Sequence, residues 1–330
     1  MIKHLTRDEL LAFVAEKYFC GELRQTDIAD LIGVTRSAVS RMLTEAREKG
    51  LVEIIIHHPL QYDRVLEDQL VVELNLQHAS VITIAEQPDH KDLKMKLGKA
   101  ASRLITKLIK PGQGIGVGWG TSVQATIESL ERNLVEDTRV IQLVGVLGSS
   151  RNSYSAQTLV DQLAQKLGGV GTYLYAPFIV ESGQTANSLM KDQSVEQAIA
   201  SGRDCDIALL GIGTTKPELC SLYKENHLSL QELRIIQKTG AVGDVCALYF
   251  NINGKLSPVD FHKRRIGVSR TNLQNIPTRL AVAGGFEKAD AILGAILGGY
   301  VNSLVTDNLT AFRVLELKKI QSQNGRTNKS

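Results

Sequence analysis

The 330-residue sequence has little cysteine, and its four cysteines (Cys20, Cys205, Cys220 and Cys246) form no CxxC pair. No histidine lies near any of them at the spacing of zinc ligands. This scarcity argues against a metal site and against a disulfide framework, and it favours a reducing compartment. We therefore expect no metal ion and no cofactor, and we expect the cysteines that lie in apolar runs to be buried thiols.

The sequence also lacks a long apolar segment. Thr6-Arg7-Asp8-Glu9 interrupts any apolar core of a signal peptide near the amino terminus. No later apolar run reaches the length that a membrane-spanning helix needs. These absences predict a cytoplasmic protein without a membrane partner.

A basic excess is missing as well. The net charge is +3 at pH 7, and the acids within residues 1–58 offset every lysine and arginine there. If the chain binds DNA, the affinity must come from a few well-placed cations and from several copies acting together. The length and the 43% hydrophobic content are sufficient for two domains, one small and one large.

Residues 25–42, QTDIADLIGVTRSAVSRM, have the pattern of two short helices joined by a tight turn. Apolar residues recur at helical spacing on both sides of Gly33, which supplies the backbone freedom of the turn. Thr26 and Thr35 are placed to cap the two helices. In a helix-turn-helix the second helix enters the DNA major groove. The residues predicted to contact DNA are Gln25, Thr26, Thr35, Arg36, Ser37, Ser40 and Arg41.

The alternative for this segment is a solvated helical hairpin within a bundle. The turn, the caps and the polar outer face of the second helix agree with one another, and this agreement favours DNA binding. Arginine can bind guanine edges or phosphate, and hydroxyls can donate to either.

Residues 1–58 are thus predicted to form a helix-turn-helix domain, in which LVEIII (residues 51–56) forms one strand of a small wing. Residues 59–76 are predicted to be a linker and a connecting helix. That helix could serve in dimerisation or could pack on the larger domain. Residues 319–330 are polar and aperiodic, which predicts a disordered tail.

Residues 77–318 alternate short apolar runs with helix-like stretches, a pattern typical of a doubly wound, mostly parallel α/β sheet covered on both faces. Ligands of such sheets bind outside the carboxyl ends of the strands. The predicted strands are residues 79–84, 114–118, 140–144, 172–175, 207–211, 245–250, 279–283 and 301–307.

The sharpest motif of this domain is GQGIGVGWGTSVQATIESL, residues 112–130. Amides of the glycine loop around Gly118 and Gly120, the hydroxyls of Thr121 and Ser122, and the start of a helix would together bind a phosphate. The motif is neither a dinucleotide fingerprint nor a Walker loop. The alternative is a strand-to-helix turn without a ligand, but the two hydroxyls at the helix start favour phosphate.

Further loops at predicted strand ends carry Gly145, Asp244 and Lys288. Asp244 would accept hydrogen bonds from sugar hydroxyls, and Lys288 would pair with phosphate or with an acid. No GxSxG or HExxH motif is present, and no histidine stands beside a convincing nucleophile. We therefore expect no catalytic residue.

These motifs, in this order, resemble the SorC-type (DeoR-like) bacterial sugar-responsive transcriptional regulators over about residues 10–315. The matching segments are QTDIADLIGVTRSAVSRML, GVGWGTS, DIALLGIG, GAVGD, IGVS with the later NIP, and AGGFEKADAILGAILGGYVNSLVTDNLTA. The resemblance implies an effector domain similar to sugar-phosphate isomerases, binding of operator DNA, a phosphorylated sugar or similar metabolite as effector, and a homo-oligomer, commonly a tetramer.

Carried over by position, Gly118, Gly120, Thr121 and Ser122 match the family's phosphate loop, Asp244 its GAVGD acid and Lys288 its AGGxxKA lysine. One departure is Val144, which stands where some members have a basic residue that contacts the effector. His262 could line the pocket or lie on the surface.

The leading hypothesis is a regulator of a carbohydrate-utilisation operon, acting as a dimer or tetramer. The alternatives are an isomerase-like enzyme with an accessory helix-turn-helix domain, which turnover of a sugar phosphate would reveal, and a structural partner protein.

Overall fold

The structure is a computed structural model that describes residues 5–52, 60–85, 89–132, 134–147 and 155–327. The chain divides into two compact units, Met1–Pro59 and Leu60–Ser330. Within the described ranges, no helix combines the length and apolar character needed to cross a lipid bilayer.

The small unit consists of helices α1 (Arg7–Phe19), α2 (Gln25–Ile32) and α3 (Arg36–Glu48). Thr6 and Glu9 form a capping box at the start of α1. The three helices pack around one apolar cluster, which includes Leu11, Ile28 and Val39, all fully buried. The predicted wing at residues 51–56 lies mostly outside the described residues.

The two predicted caps have different outcomes. The side chain of Thr35 accepts a hydrogen bond from the amide of Ala38 at 3.2 Å, which confirms it as the cap of α3. Thr26 is wrong as a cap, because Arg24 is the N-cap and α2 begins at Gln25, so Thr26 lies inside the helix. The carboxylate of Asp27 instead reaches back to the Arg24 amide at 3.4 Å.

The large unit contains eleven helices and ten strands among its described residues. The helices are α4 (Arg64–Leu74), α5 (His90–Leu108), α6 (Thr121–Ser129), α7 (Ala156–Leu167), α8 (Gly183–Met190), α9 (Gln193–Arg203), α10 (Ser221–Lys224), α11 (Leu230–Lys238), α12 (Arg270–Asn275), α13 (Ala289–Leu297) and α14 (Asn308–Thr327). The strands are β1 (His78–Ile82), β2 (Gly114–Val117), β3 (Arg139–Gln142), β4 (Val170–Thr172), β5 (Ile207–Gly211), β6 (Gly213–Thr214), β7 (Ala241–Val245), β8 (Leu248–Asn251), β9 (Thr278–Val282) and β10 (Ser303–Asp307).

Seven of these strands form one parallel sheet in the order β1-β10-β9-β5-β2-β3-β4. From β2 the chain proceeds to β3 and β4 on one side, and it then returns to the opposite side of β2 with β5. The strand order therefore reverses between β2 and β5. A crevice opens outside the carboxyl ends of the strands at such a switch point.

Both faces of the sheet are buried, as the sequence predicts. In β5, Ile207 and Leu209 belong to the apolar cluster that includes residues of α5, α6 and α7. The alternate residues Ala208 and Leu210 belong to the cluster formed with α4, α13 and α14. This alternation confirms the doubly wound α/β fold.

The predicted strand at residues 245–250 is wrong. The chain turns at Cys246 and Ala247, both with positive φ (52° and 58°), so that β7 and β8 form a hairpin. This hairpin and β6 make a separate three-stranded antiparallel sheet. The apolar run gave no sign of the turn, because neither turn residue is glycine or asparagine.

Helix α4 is part of the large unit rather than a free connector. Leu70 is fully buried, and the buried carboxylate of Glu67 accepts a hydrogen bond from the amide of Val81 in β1 at 3.0 Å. At the other end of the chain, α14 continues to Thr327, whereas the sequence predicts disorder from residue 319. No proline interrupts the hydrogen bonds of this helix.

Candidate functional site

The exposed face of α3 carries the side chains predicted to read DNA. Val39 and Met42 of this helix are buried against α1 and α2, which turns the opposite face outward. The exposed residues on and before this helix are Thr35, Arg36, Ser37, Ser40 and Arg41. Of the predicted pair in α2, Thr26 is exposed and Gln25 is half-buried.

The cations of the small unit fall into two groups. Five are engaged elsewhere: Arg7, Arg24 and Lys49 in ion pairs, and Lys17 and Arg47 over aromatic rings. Among the described residues, no carboxylate pairs with Arg36 or Arg41; Arg41 contacts only the carbonyl of Ser37, at 3.4 Å. These two guanidinium groups on one exposed face are therefore the ones available to a polyanion.

In the large unit, the predicted glycine loop connects β2 to α6 at the switch point of the sheet. Gly120 precedes the helix with φ 138° and ψ 161°, a backbone conformation that L side chains rarely adopt. No side chain caps α6, so the amides of its first turn face the crevice without a side-chain acceptor. Thr121 and Ser122 begin the helix at this point.

The loop after β5 and the β7–β8 hairpin complete a cavity beside this helix end. Five of the predicted effector residues line it: Gly120, Thr121, Ser122, Asp244 and Lys288. The structure therefore brings together residues that are up to 168 positions apart, Gly120 and Lys288 being the extremes.

Asp244 is held against the neighbouring strand. It pairs with Gly213 of β6, and its Oδ2 accepts a hydrogen bond from the amide of Ala247 at 2.9 Å. Burial raises the pKa of Asp244 to about 6, and this rise is opposed by the Ala247 hydrogen bond and by the charges of Lys288 and Arg265. The carboxylate is therefore ionised at neutral pH and can accept from hydroxyl groups.

Lys288 is positioned by a 3-10 turn, Phe286–Lys288, that precedes α13. The turn is held by the buried carboxylate of Asp307, which accepts from the amide of Gly285 at 3.0 Å. The Lys288 Nζ donates to the carbonyl of Ile212 at 3.0 Å. Burial lowers the pKa of Lys288 to about 8, while the charge of Asp244 acts in the opposite direction.

Two predicted residues do not line this cavity. The amide of Gly118 donates to the carbonyl of Leu209 at 2.9 Å, within the sheet. A side chain on Gly145 would lie 2.6 Å from the carbonyls of Ala176 and Pro177, so this glycine permits close backbone packing. Both glycines support the strands that carry the loops, and their prediction as cavity residues is corrected.

Neither alternative for His262 describes its place. Its Nε2 accepts the amide of Tyr249 at 2.9 Å, and burial lowers its pKa to about 4, so it is a neutral structural acceptor. Val144 is fully buried and does not line the cavity either.

Several residues of the cavity were missed from the sequence. Trp119 lies inside the GVGWGTS motif and Cys246 inside the predicted strand 245–250, whereas Phe178 and Cys220 come from segments without any pattern. Arg265 is buried behind the cavity, where it donates to the carbonyls of Cys246 and Val268 and adds positive charge near Asp244. Its segment, DFHKRRIG, has the polar composition of a surface loop.

The chemistry of the cavity favours binding of a ligand over catalysis of a reaction. Burial raises the pKa of the Cys220 and Cys246 thiols to about 11 and about 12, which keeps both protonated and weakly nucleophilic. Among the described residues, no cluster of three or more histidine, cysteine or acidic side chains is arranged to hold a metal ion. A helix amino terminus, one amine and one carboxylate can bind a molecule that carries an anionic group and hydroxyls.

Known proteins match the chain over both units. Residues 58–316 match the family described as "Putative sugar-binding domain", and residues 6–60 match the Crp-like helix-turn-helix domain. The chain is 29% identical over 306 residues to the deoxyribonucleoside regulator of Bacillus subtilis (strain 168), covering 92% of this chain and 96% of that one. It is 30% identical over 315 residues to the transcriptional regulator LsrR of Escherichia coli (strain SMS-3-5 / SECEC), covering 94% and 96%. Among solved structures, the full-length sorbitol operon regulator SorC from Klebsiella pneumoniae is similar with a TM-score of 0.70 and 26% identity, covering 93% and 99%.

Proposed function

Because the chain belongs to the SorC/DeoR-like family of sugar-binding transcriptional regulators, we propose that it controls a carbohydrate-utilisation operon in response to a phosphorylated sugar or a related metabolite. The observation that carries this proposal is the convergence of the α6 amino terminus, Lys288 and Asp244 on one cavity at the switch point of the sheet. In this proposal the protein acts in the cytoplasm and catalyses no reaction.

The cavity offers two kinds of binding group. The uncapped amides of α6, the hydroxyls of Thr121 and Ser122 and the Lys288 amine suit a phosphate. Asp244 offers an ionised acceptor for sugar hydroxyls. A phosphorylated sugar satisfies both kinds of group, whereas a free sugar would leave the buried amine without an anionic partner.

In the small unit, Arg36 and Arg41 would contact operator DNA, with Gln25, Thr26, Thr35, Ser37 and Ser40 as polar contacts around them. The support is their exposure and the absence of competing carboxylates among the described residues. Two cations per copy neutralise few phosphates, so a homodimer or homotetramer would be needed to reach useful affinity.

Regulation requires that the effector bind one arrangement of the oligomer better than another, because a ligand with equal affinity for both shifts nothing. The proposed effector cavity therefore has to differ in its affinity for the effector between an arrangement that binds DNA well and one that binds it poorly. Asp244 and Lys288 are suited to this role, because burial disfavours the charged form of each side chain and shifts its pKa.

The test uses the purified full-length protein and a labelled DNA fragment from upstream of its own operon. Binding is measured by fluorescence anisotropy, with a shuffled fragment as control, against a panel of sugar phosphates and the corresponding free sugars. We expect specific binding that one phosphorylated sugar changes and its free sugar does not. Equal affinity for the native and shuffled fragments would contradict the proposal.

One observation favours the isomerase-like alternative. The pKa values of Asp244 and Lys288, about 6 and about 8, bracket neutral pH, which suits groups that exchange protons with a substrate. Conversion of any sugar phosphate of the panel, followed by NMR with catalytic amounts of protein, would decide for the enzyme. We expect no conversion.

A further inference from the structure

A second cavity of about 460 Å³ adjoins the effector cavity. The two cavities share part of their walls, namely Thr121, Ser122, Leu219, Ser221 and Lys288. The first turn of α6 therefore lies between two spaces, one that reaches Asp244 and one that extends toward α5 and α10. A ligand bound at this helix end can contact the walls of both.

The second cavity is lined by amines from three separate elements. Lys94 belongs to α5, Lys224 to the end of α10, and Lys288 to the turn before α13. Within the described part of the chain, no carboxylate lies within 4.0 Å of any of these three amines, although eleven ion pairs form elsewhere. The fold thus gathers three cations around one space, and none of them forms an ion pair within 4.0 Å among the described residues.

The charges of these amines act on one another. Burial, and then the charge of Lys224, lowers the pKa of Lys94. Burial also lowers the pKa of Lys288 to about 8, and Lys94 adds to that effect. Like charges held together repel one another, and an anion bound between them would relieve that repulsion.

Two carboxylates also line this cavity, those of Glu218 and Glu225. They flank α10 on either side, and neither contributes appreciably to the pKa of Lys94 or of Lys288. Three amines and two carboxylates line the cavity, so its lining side chains carry a net positive charge.

We propose that Lys94 and Lys224 belong to the effector site and bind an outward oxygen of the effector's phosphate, whose other two oxygens accept from the α6 amides and from Lys288. The proposal rests on the proposed function and specifies the class and the orientation of the ligand. The ligand carries a terminal phosphate monoester, which has a charge of about −1.5 to −2 and three acceptor oxygens. Its hydroxyl-bearing end points toward Asp244. A carboxylate has one negative charge and two oxygens, and it matches three amines less well.

The test measures thermal stabilisation of the full-length protein by inorganic phosphate at pH 7 and constant ionic strength. The double variant Lys94→Gln/Lys224→Gln removes both charges and keeps polar side chains of similar reach. The matched control is Lys96→Gln, on the same helix, because Lys96 pairs with Asp92 and does not line the cavity. We expect the phosphate concentration for half-maximal stabilisation to rise at least about tenfold in the double variant and to stay unchanged in the control.

A second variant pair, Lys94→Arg/Lys224→Arg, keeps the charges and should retain most of the phosphate response. A double Gln variant that titrates with phosphate like the parent would overturn the inference. So would a parent protein that phosphate does not stabilise.

A third variant, Thr121→Val/Lys288→Ala, distinguishes a failure of the inference about Lys94 and Lys224 from a failure of the proposed effector cavity. If it loses the phosphate response and Lys94→Gln/Lys224→Gln keeps it, the inference about Lys94 and Lys224 fails and the effector cavity stands. If neither variant changes the response, phosphate binds elsewhere and the proposed effector cavity itself is wrong. DNA binding of each variant without phosphate reports separately on the regulator function.

Discussion

The carboxylate of Asp244 lies directly over the backbone of Gly213 on the paired strand β6. A methyl group on Gly213 would be 2.0 Å from the Asp244 Oδ1, which is far inside van der Waals contact. The carboxylate occupies the space that a side chain of residue 213 would fill. The direction of the Asp244 side chain into the cavity therefore depends on the absence of a side chain on a residue 31 positions earlier in the chain.

Gly213→Ala should displace the Asp244 carboxylate and weaken binding of the sugar-phosphate effector at least about tenfold, the equivalent of one lost hydrogen bond to a charged group. The control is Gly183→Ala at the start of α8, which does not line the cavity and where the nearest atom to the new methyl group is the Lys263 Cβ at 3.1 Å. Isothermal titration calorimetry with the effector checks the difference. An equal loss in both variants would contradict the role of the Asp244–Gly213 contact.

Effector binding should be strongest between about pH 6 and pH 8. As the pH falls through about 6, Asp244 takes up a proton and loses its acceptor character. As the pH rises through about 8, Lys288 loses the charge that binds phosphate. Affinities measured across this range test both limits. Because phosphate itself titrates near pH 6, the alkaline limit is the sharper test, and Lys288→Met should abolish it.

Asp244→Asn should stabilise the effector-free large unit by about 1–2 kcal/mol at pH 7. The pKa of Asp244 is about 6 in the folded chain and 3.8 in the unfolded chain, so the folded state binds the proton more tightly. The free energy of unfolding therefore falls as the pH rises from about 4 to about 6, and the penalty is complete above that range. Denaturant unfolding at pH 7 and below pH 4 checks this, because the gain should vanish at the lower pH. The same variant should bind the effector more weakly.

Arg41→Ala and Arg36→Ala should each weaken operator binding by about 1–3 kcal/mol if the arginine contacts a base, or reduce the slope of affinity against salt by about one if it contacts phosphate. Arg7→Ala is the control, since Arg7 is ion-paired with Glu45 at the start of α1. Fluorescence anisotropy at several salt concentrations distinguishes the cases. Unchanged operator binding by Arg41→Ala would contradict its assignment.

Thr121→Val/Lys288→Ala should abolish thermal stabilisation by the effector and leave DNA binding without effector intact. The variant removes one hydroxyl and the buried amine from the cavity and does not touch the small unit. Differential scanning fluorimetry with and without the sugar phosphate measures the first effect. If the double variant responds like the parent, the effector binds at another place.

The sequence predicted the elements whose signals are local. The cap at Thr35 and the glycine loop before Thr121 each depend on residues within a few positions of one another. Alternating apolar runs predicted the parallel sheet, because burial of both faces requires them. Where a local signal was ambiguous the prediction failed: Thr26 was taken as a cap, and the turn at residues 246–247 was hidden in an apolar run.

Sequence patterns could not predict which residues lie next to one another in the folded protein. Asp244 and Lys288 were selected as chemical types at strand ends, but their position beside one helix end follows from the strand order around β2 and β5. Gly145 satisfied the same pattern and proved to be a packing residue, because the deciding contact is with the backbone of residues 176–177.

The amino-acid sequence by itself determined the helix-turn-helix and the glycine loop before α6, because hydrophobic periodicity, capping and backbone freedom are properties of short segments. Only the tertiary structure decided which residues share the cavity. It decided that Lys94 and Lys224 join Lys288 there, and that Arg36 and Arg41 remain unpaired while the other described cations of the small unit are engaged. The physical reason is that burial and charge pairing depend on distances between segments far apart in the chain, which the packing of the elements sets.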